Sequence, residues 1–428
     1  MIETFKNAWR IPELKKKLLF VLFIILMFRL GSSIPVPFIN IPLLQEYFTS
    51  TANNTMLGFV NVFSGGGLAN ATIFAMSITP YINASIILQL LTVAIPALER
   101  LAKEGGQEGR EKIAKATRYL GVVLGLVQGY SYYVLLRAQN LLLKTDFWSG
   151  LIIVISFTAG TALIIWLGER ITEKGIGNGI SIILFAGIVS RGPEMFQTLW
   201  NLLKQGGKNY VIVALLIVVG LALVAFVVFM QKSERRIPVQ YAKRVVGRKM
   251  YGGQSTHLPI KVNASGVMPI IFASSILQLP STIGLIANPQ EGSFLQKFIH
   301  AFDSTSILYM VIYFVLIIGF SYFYAAVQFN PIEIANNLKK NGGFIPGFRP
   351  GKPTSDFITK ALGKVTFMGS LFLGIVAVLP LIIGATSESL KNVALGGTSV
   401  LILVGVALET VNAIESQMMM RHYKGFLE

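Results

Sequence analysis

The sequence PYINASIILQL at residues 80–90 returns as PIIFASSILQL at residues 269–279, with eight of the eleven positions identical. The identical positions include a proline, a serine and a glutamine. These residue types are not freely interchangeable with the aliphatic residues of a membrane helix. One explanation for the match is chance similarity, because apolar helices are built from a small set of residue types. We interpret the pair as an internal duplication. In a membrane protein, duplicated halves typically enclose a transport pathway.

The composition indicates a membrane protein. Charged residues make up 13% of the 428 residues and hydrophobic residues 53%, and the mean hydropathy is +0.63. Soluble domains carry roughly 25% charged residues, so most of this chain does not belong to a water-facing fold. The sequence has no cysteine, which excludes disulfides, thiolate metal sites and cysteine nucleophiles.

Apolar segments recur along the whole chain, and most are close to the length of about 20 residues that crosses a bilayer. We therefore expect one all-α polytopic membrane domain with ten transmembrane helices. The fifth span is the weakest, because glycines precede it and Arg191 and Pro193 lie at its far end. The ten predicted spans are residues 18–30, 72–95, 119–138, 150–167, 180–196, 210–230, 262–286, 305–327, 366–383 and 395–414.

Lys and Arg residues predict the orientation. Of the 37, the two termini and alternate loops hold 29, the remaining loops hold seven, and Arg29 lies inside the first span. Positive residues accumulate on the cytoplasmic side of a bilayer, so both termini are predicted to be cytoplasmic. The first span has the basic flank of a signal peptide, but no small-residue cleavage site follows it, and we expect it to be retained.

With this topology the two copies of the repeat run in opposite directions, in the second and seventh spans. The sequence therefore predicts two inverted five-helix halves, residues 1–204 and 205–428, around a central pore. Ile82 and Ile86 share one helix face, and Ile271 has the place of Ile82 in the second copy. Apolar constrictions gate pores by dewetting, although isoleucines in spans also pack against other helices or face lipid.

A short apolar stretch at residues 56–63 lies between the first two spans and is followed by three glycines. The stretch is too short to cross a bilayer, and the glycines allow the backbone to fold back. One interpretation is a re-entrant element in a cavity between the halves. The other is a helix that lies on the membrane surface, and the residues alone do not decide between the two.

Two long basic loops, at residues 232–261 and 329–364, face the predicted cytoplasm. Their length and charge favour a docking surface for a large acidic or RNA-containing partner, whereas the positive-inside bias explains only the charge. The alternating sequence RIPVQYAKRV in the first loop predicts a hairpin. In the second loop, Arg349 stands in the sequence GFRPG, a turn that presents one side chain rigidly. The alternative role for this arginine is to brace its own loop.

The sequence predicts neither an enzyme nor a cofactor or metal site. It has no GxxxxGK[ST] run, and His257, His300 and His422 are scattered. Arg29 and Glu409 are the only ionisable residues deep in predicted spans, and both lie near the end of a span. Secondary transporters hold ions with polar groups near the midplane. An inverted-repeat transporter of a small solute is therefore the less favoured alternative.

A series of motifs along nearly the whole chain resembles the SecY family of the bacterial Sec translocon. The motifs are IPVPFIN, NVFSGG, TPYINASIILQLL, TEKGIGNGISI, ERRIPVQYAKR, QSTHLPIKVNASGVMPIIFASSI, FNPIEIANNLKKNGGFIPGFRPG and LGGTSVLI. The resemblance implies a multi-pass channel in the bacterial inner (plasma) membrane that passes unfolded secretory proteins and releases membrane segments into lipid. An aliphatic ring and a plug would close it, and a lateral gate would open for signal sequences.

Matched residue by residue, the resemblance implies four groups of functional residues. The pore ring consists of Ile82, Ile86, Leu184, Ile188, Ile271 and Ile402. The plug, at about residues 56–70, includes Gly58, Phe59, Val62, Phe63, Gly65, Gly66 and Gly67. The lateral gate, spans two and three against seven and eight, includes Ser85, Gln89, Ser274, Ser275 and Gln278. The docking residues for a motor or the ribosome are Arg349, Lys243, Arg244, Arg248 and Lys249.

The sequence departs from the family pattern at two positions. Leu184 stands where the family usually has isoleucine, and Asn70 stands where some members are basic, which leaves the packing of the ring open. The resemblance also implies partners, namely the small membrane subunits SecE and SecG, the motor ATPase SecA, the ribosome, and signal peptides and nascent chains. Because the chain has no nucleotide site of its own, the energy would come from SecA or the translating ribosome.

Overall fold

The structure is a computed structural model, and it is mainly helical. It describes residues 2–50, 56–204, 209–241, 244–246, 249–251, 255–263, 265–287, 301–302, 306–386 and 391–424. For a few residues inside these ranges, the side chain is not described.

The described residues of the first predicted half form ten helices. They are α1 (Ile2–Arg10), α2 (Pro12–Gly31), α3 (Ile41–Ser50), α4 (Met56–Phe63), α5 (Thr79–Ala94), α6 (Pro96–Lys103), α7 (Gly106–Ala138), α8 (Phe147–Lys174), α9 (Gly179–Ser190) and α10 (Gly192–Lys204).

The second predicted half forms long helices and a small set of strands. The helices described over residues 209–424 are α11 (Asn209–Lys232), α12 (Met268–Ala287), α13 (Ile307–Gln328), α14 (Pro331–Lys340), α15 (Lys352–Thr386) and α16 (Lys391–Lys424). The strands are β1 (Glu234–Tyr241), β2 (Arg244–Val246), β3 (Lys249–Tyr251), β4 (Ser255–Lys261) and β5 (Gly343–Phe344).

Each of the ten predicted spans contains a helix. Among the described residues, seven helices are long and apolar enough to cross a membrane, and α5 with α6 forms an eighth candidate, bent by 106°. The bend lies at Ile95, which has an extended conformation because Pro96 follows it. Helix α5 begins at Thr79 and not at the predicted residue 72, because residues 64–78 form turns. The count of ten spans stays a prediction.

The two predicted halves meet along two seams. Helices α5 and α7 contact α12 on one side, and α4 and α9 contact α16 on the other. The largest hydrophobic cluster extends across both seams, so aliphatic residues from both halves share one core. A region between the predicted halves is thus buried and apolar.

A small antiparallel sheet joins the two basic loops outside the spans. Strand β1 lies between β4 and β5, with Ile237 opposite Leu258 and Gln240 opposite Phe344. The predicted hairpin is therefore confirmed as β1 and β4, with a second small hairpin, β2 and β3, between them in the sequence. The third strand, β5, was not predicted. It makes the two loops one structural unit, an addition to the all-α fold class.

Candidate functional site

The structure brings the six residues of the predicted pore ring into one hydrophobic cluster. They come from four helices, α5, α9, α12 and α16, and therefore from both predicted halves. None is more than 8% exposed, which excludes the alternative that these residues face lipid. The buried residues are Ile82, Ile86, Leu184, Ile188, Ile271 and Ile402.

The turn before α9 positions Leu184 and Ile188. The side chain of Asn178 caps the helix, because its oxygen accepts a hydrogen bond from the backbone N–H of Ile180 at 3.0 Å. A capped first turn fixes the direction in which a helix leaves a loop. The glycine-rich sequence GIGNGIS thus encodes a helix start, and this start directs two aliphatic side chains into the cluster.

The two copies of the repeat agree in burial at some positions and differ at others. Ala84 and Ala273 are fully buried, and Leu90 and Leu279 are exposed. At the positions that differ, the second copy is the more deeply buried, as at Leu277. The helices that carry the copies, α5 and α12, contact each other.

The segment predicted to be the plug is buried inside the protein. Helix α4 contacts α9 and α16, Gly58, Val62 and Phe63 are buried, and Phe63 belongs to the same cluster as the ring. Gly187 of α9 lies so close to the Phe63 carbonyl that a Cβ at this position would clash. The surface-lying alternative is therefore excluded for this segment. The side chain of Phe59 lies outside the described residues.

Hydrogen bonds within the segment stabilise the non-helical backbone after α4. Gly65 and Gly66 have φ of +66° and +84°, which suits glycine and lets the chain fold back. The buried side-chain oxygen of Asn61 accepts a hydrogen bond from the Ala69 N–H at 3.0 Å, and the backbone carbonyl of Asn61 accepts one from the Ser64 hydroxyl at 3.1 Å. Internal bonds of this kind allow irregular backbone at membrane depth.

Neighbouring side chains hold the same segment in place. The Tyr132 hydroxyl of α7 donates to the Leu68 carbonyl at 2.7 Å, and the Ser77 hydroxyl donates to the Phe63 carbonyl at 3.2 Å. Sequence reasoning missed Asn61, Tyr132 and Ser77. A polar residue inside the apolar stretch MLGFVNVF was the one signal available for Asn61.

A chain of side-chain hydrogen bonds crosses the predicted lateral gate. Gln89 of α5 donates to the Ser85 hydroxyl at 3.0 Å and accepts from the Tyr324 hydroxyl of α13 at 2.7 Å. The Tyr324 ring also packs against Phe272 of α12, with centroids 5.1 Å apart. Tyr324 thus connects three of the helices that would form the gate, and it was not predicted.

The polar residues predicted on the other side of the gate are buried in α12. Ser274, Ser275 and Gln278 are each at most 6% exposed, and the Ser274 hydroxyl donates to the Ile271 carbonyl at 2.8 Å. Helices α5 and α7 both contact α12, so the two sides of the predicted gate are adjacent in this structure.

Arg349 lies exposed in the loop after β5. Gly347 and Gly351 on either side have positive φ, and the Thr354 hydroxyl donates to the Arg349 carbonyl at 2.8 Å. The backbone of the turn is therefore held, while the guanidinium makes no hydrogen bond or ion pair with the described residues. Within that part of the chain, the side chain does not brace its own loop.

The other predicted docking residues lie at the hairpin between β1 and β4. Arg244 is in β2 and Lys249 is in β3, but their side chains are outside the description. Lys243 and Arg248 lie outside the described residues altogether.

The two deep ionisable residues differ in position. Arg29 is exposed in the last turn of α2, as predicted for a residue near a helix end. Glu409 was predicted near a span end, but α16 continues to Lys424, so this residue lies in the interior of the helix. One carboxylate oxygen of Glu409 lies beside Gly266, at the turn that precedes α12.

Comparison with known proteins gives consistent matches. The family model described as SecY matches residues 72–411. The chain is 45% identical over 442 residues to the protein translocase subunit SecY of Streptomyces scabiei and 44% identical over 451 residues to that of Mycobacterium tuberculosis (strain ATCC 25618 / H37Rv), with full coverage of both chains in each case.

Solved structures show the same fold. One is described as the structure of a protein conducting channel, with a TM-score of 0.64, 21% identity and coverage of 93% of this chain and 91% of the other. Another is Sec61 in the canine ribosome-channel complex from the endoplasmic reticulum, with a TM-score of 0.59, 18% identity and the same coverage.

Proposed function

The chain belongs to the SecY family, and from this premise we propose that it forms the channel through which unfolded secretory proteins cross the membrane and from which membrane segments leave sideways. The observation that carries the proposal is the buried hydrophobic cluster between the predicted halves, which brings together the six aliphatic residues from four helices and Phe63. A dry apolar constriction excludes water and ions until a polypeptide enters it. We infer that Ile82, Ile86, Leu184, Ile188, Ile271 and Ile402 form this ring.

A small-solute transporter is not favoured. Such a protein needs polar groups or unwound carbonyls that bind its substrate and coupling ion near the midplane. The six side chains of the proposed ring are aliphatic. They offer no polar group to a substrate or a coupling ion and suit a seal.

A crosslinking experiment tests the conducting path. Because the chain has no cysteine, Ile82→Cys introduces a single thiol at the proposed constriction. We expect a secretory chain stalled during export, carrying one cysteine, to form a disulfide with this position. Ile155→Cys, at an exposed position of α8, is the matched control and should not react. Equal crosslinking at both positions, or none at residue 82, would contradict the proposed path.

We also propose that residues 56–70, which are α4 and the turns that follow it, form the plug, and that the seam of α5 and α7 with α12 and α13 is the lateral gate. Burial of α4 against α9 and α16 supports the first assignment. The hydrogen bond from Tyr324 to Gln89 supports the second, because it joins helices that must separate when a segment leaves the pore. The two five-helix halves, residues 1–204 and 205–428, would be the bodies that move.

Tyr324→Phe should ease opening of the gate. The change removes the hydroxyl that donates to Gln89 but keeps the ring against Phe272. A hydrogen bond contributes about 0.5–1.5 kcal/mol, so we expect roughly 2- to 10-fold more export of a substrate with a weakened signal sequence. Tyr322→Phe is the matched control, since this exposed tyrosine donates to Gly363, outside the gate. An equal gain in both variants, or no gain in either, would contradict the role of Tyr324.

The orientation and the partners are further parts of the proposal. The distribution of Lys and Arg supports cytoplasmic termini, and the bacterial relatives support a bacterial inner membrane. We propose that SecE and SecG complete the complex, and that SecA or the ribosome docks on the unit formed by the two basic loops. The exposed guanidinium of Arg349 and the hairpin beside it support this surface.

A further inference from the structure

Glu409 is an acidic residue of α16 that the proposed ring, plug and gate do not use. It makes no hydrogen bond or ion pair with the described residues, although Lys261 attracts it electrostatically. Its side chain is exposed, whereas Val406, Leu408 and Val411 around it in α16 are buried. A carboxylate within a membrane span typically faces the interior of the bundle or a water-filled cavity. Its exposure therefore indicates a cavity open to water.

Helical spacing places Glu409 on the face of α16 that carries Ile402. Seven residues are close to two turns of an α-helix, so the two residues share one face and lie about 10.5 Å apart along the axis. Asn412 and Ser416 continue this face and are exposed. Because the C-terminus of the chain is predicted to be cytoplasmic, the face changes from apolar at the proposed ring to polar on the cytoplasmic side.

The same face of α16 lies against the turn that precedes α12. Gly405 lies against the side chain of Val267, and Gly266 lies beside a carboxylate oxygen of Glu409. Ile271 of the proposed ring follows Val267 by four residues. Glu409 therefore stands at the cytoplasmic mouth of the proposed pore, next to the start of a helix of the proposed lateral gate.

We propose that Glu409 binds the basic n-region of a signal sequence and thereby contributes to the choice of the chains that the channel accepts. This rests on the proposed function as a channel for secretory proteins. A signal sequence has a positively charged n-region followed by an apolar h-region of about 7–15 residues. With the h-region at the gate beside the aliphatic ring, the n-region would lie toward the cytoplasm, at the depth of Glu409.

The charges around the pore make this carboxylate selective. The chain has a formal net charge of +17 and both long cytoplasmic loops are basic, so most of its cytoplasmic surface repels a basic segment. Among the described acidic residues, Glu169, Glu173 and Glu234 each pair with an arginine. The Glu409 carboxylate, which is unpaired within the described part of the chain, is available to a lysine or arginine of the substrate.

A purely structural role of Glu409 is the competing explanation. A carboxylate beside Gly266 would also interact favourably with the N-terminus of α12. The two roles predict different results. Loss of a structural contact would affect every substrate alike, whereas loss of the n-region contact would affect each substrate according to its charge.

The test is export into inverted membrane vesicles of two substrates that differ only in the n-region, one with lysines and one with glutamates. We expect Glu409→Lys to reduce export of the lysine substrate about fivefold and to increase export of the glutamate substrate, because attraction becomes repulsion. Glu409→Gln should reduce export of the lysine substrate about twofold. Glu415→Lys is the matched control on another face of α16, where Glu415 accepts a hydrogen bond from Thr4. It should leave the ratio of the two substrates unchanged.

A crosslink tests the contact directly. Because the chain has no cysteine, Glu409→Cys should form a disulfide with a cysteine in the n-region of a substrate stalled during export, and Glu415→Cys should not. Equal loss of both substrates in the Glu409→Lys variant, no change in either, or no disulfide at position 409 would each overturn the proposal. If Ile82→Cys still forms its disulfide in that case, the proposed channel stands and only the role of Glu409 is lost.

Discussion

Ile402→Asn should make the resting channel conduct ions. Ile402 is 1% exposed in α16 and shares the hydrophobic cluster with Ile86 and Phe63. A buried amide without a partner costs about 1–3 kcal/mol, and water entering the constriction would recover that energy. Because 1.4 kcal/mol is a tenfold change in population, we expect roughly tenfold or greater resting conductance in planar bilayers.

Matched variants separate polarity from shape. Ile402→Leu keeps the site apolar at the same volume and should leave the resting conductance low. Ile155→Asn places the same amide at an exposed position of α8 and should also have no effect on conductance. Ile86→Asn should act like Ile402→Asn, and both should pass substrates with defective signal sequences. Unchanged resting conductance in both ring variants would contradict the assignment of the ring.

The repeat predicts that the proposed ring is asymmetric. Ser275 has the place of Ile86 in the second copy, and it is buried in α12. Helix α5 would therefore contribute two aliphatic side chains to the ring, whereas α12 would contribute Ile271 alone. The sequence is sufficient for this prediction, because it gives the side-chain type at each matching position.

Helix positions could be predicted well because each is determined by a local apolar run. Boundaries were less accurate where turns intervene. The run that begins at residue 72 is mostly apolar, but Ala71 and Ser77 have positive φ, and the helix starts only at Thr79. Composition does not reveal such turns, since the hydrogen bonds that hold them come from Asn61 and Tyr132, in other parts of the chain.

Pairings between distant segments could not be predicted. Tyr324 and Gln89 are 235 positions apart, and nothing in either neighbourhood identifies the other as its partner. Likewise, β5 has only two residues, too few for a strand pattern, although it joins the two basic loops. The residue types of the site follow from local sequence, but which residues meet follows from the folded chain.

Arg349→Glu should abolish most motor-driven export while the complex still assembles. The guanidinium is exposed on a turn whose backbone is held by Thr354, so it is presented to a partner at little entropic cost. A central arginine of an interface contributes about 2 kcal/mol or more, and a reversed charge adds repulsion from an acidic partner. We expect a loss of roughly 30-fold or more in SecA-dependent export by inverted membrane vesicles.

Two controls make this result specific to Arg349. Lys352→Glu reverses a neighbouring exposed charge on α15 and should reduce export much less. The side chain of Lys352 extends from a helix, whereas that of Arg349 extends from the turn. Arg349→Lys keeps the charge but loses the planar fork, so an intermediate loss is expected if the partner binds the guanidinium with two hydrogen bonds. Co-purification of the small subunits with the Arg349→Glu variant would show that assembly is intact. Normal export by vesicles from that variant would contradict the docking role. Equal losses for the two charge reversals would show that export depends on the general positive charge of this surface and not on Arg349 in particular.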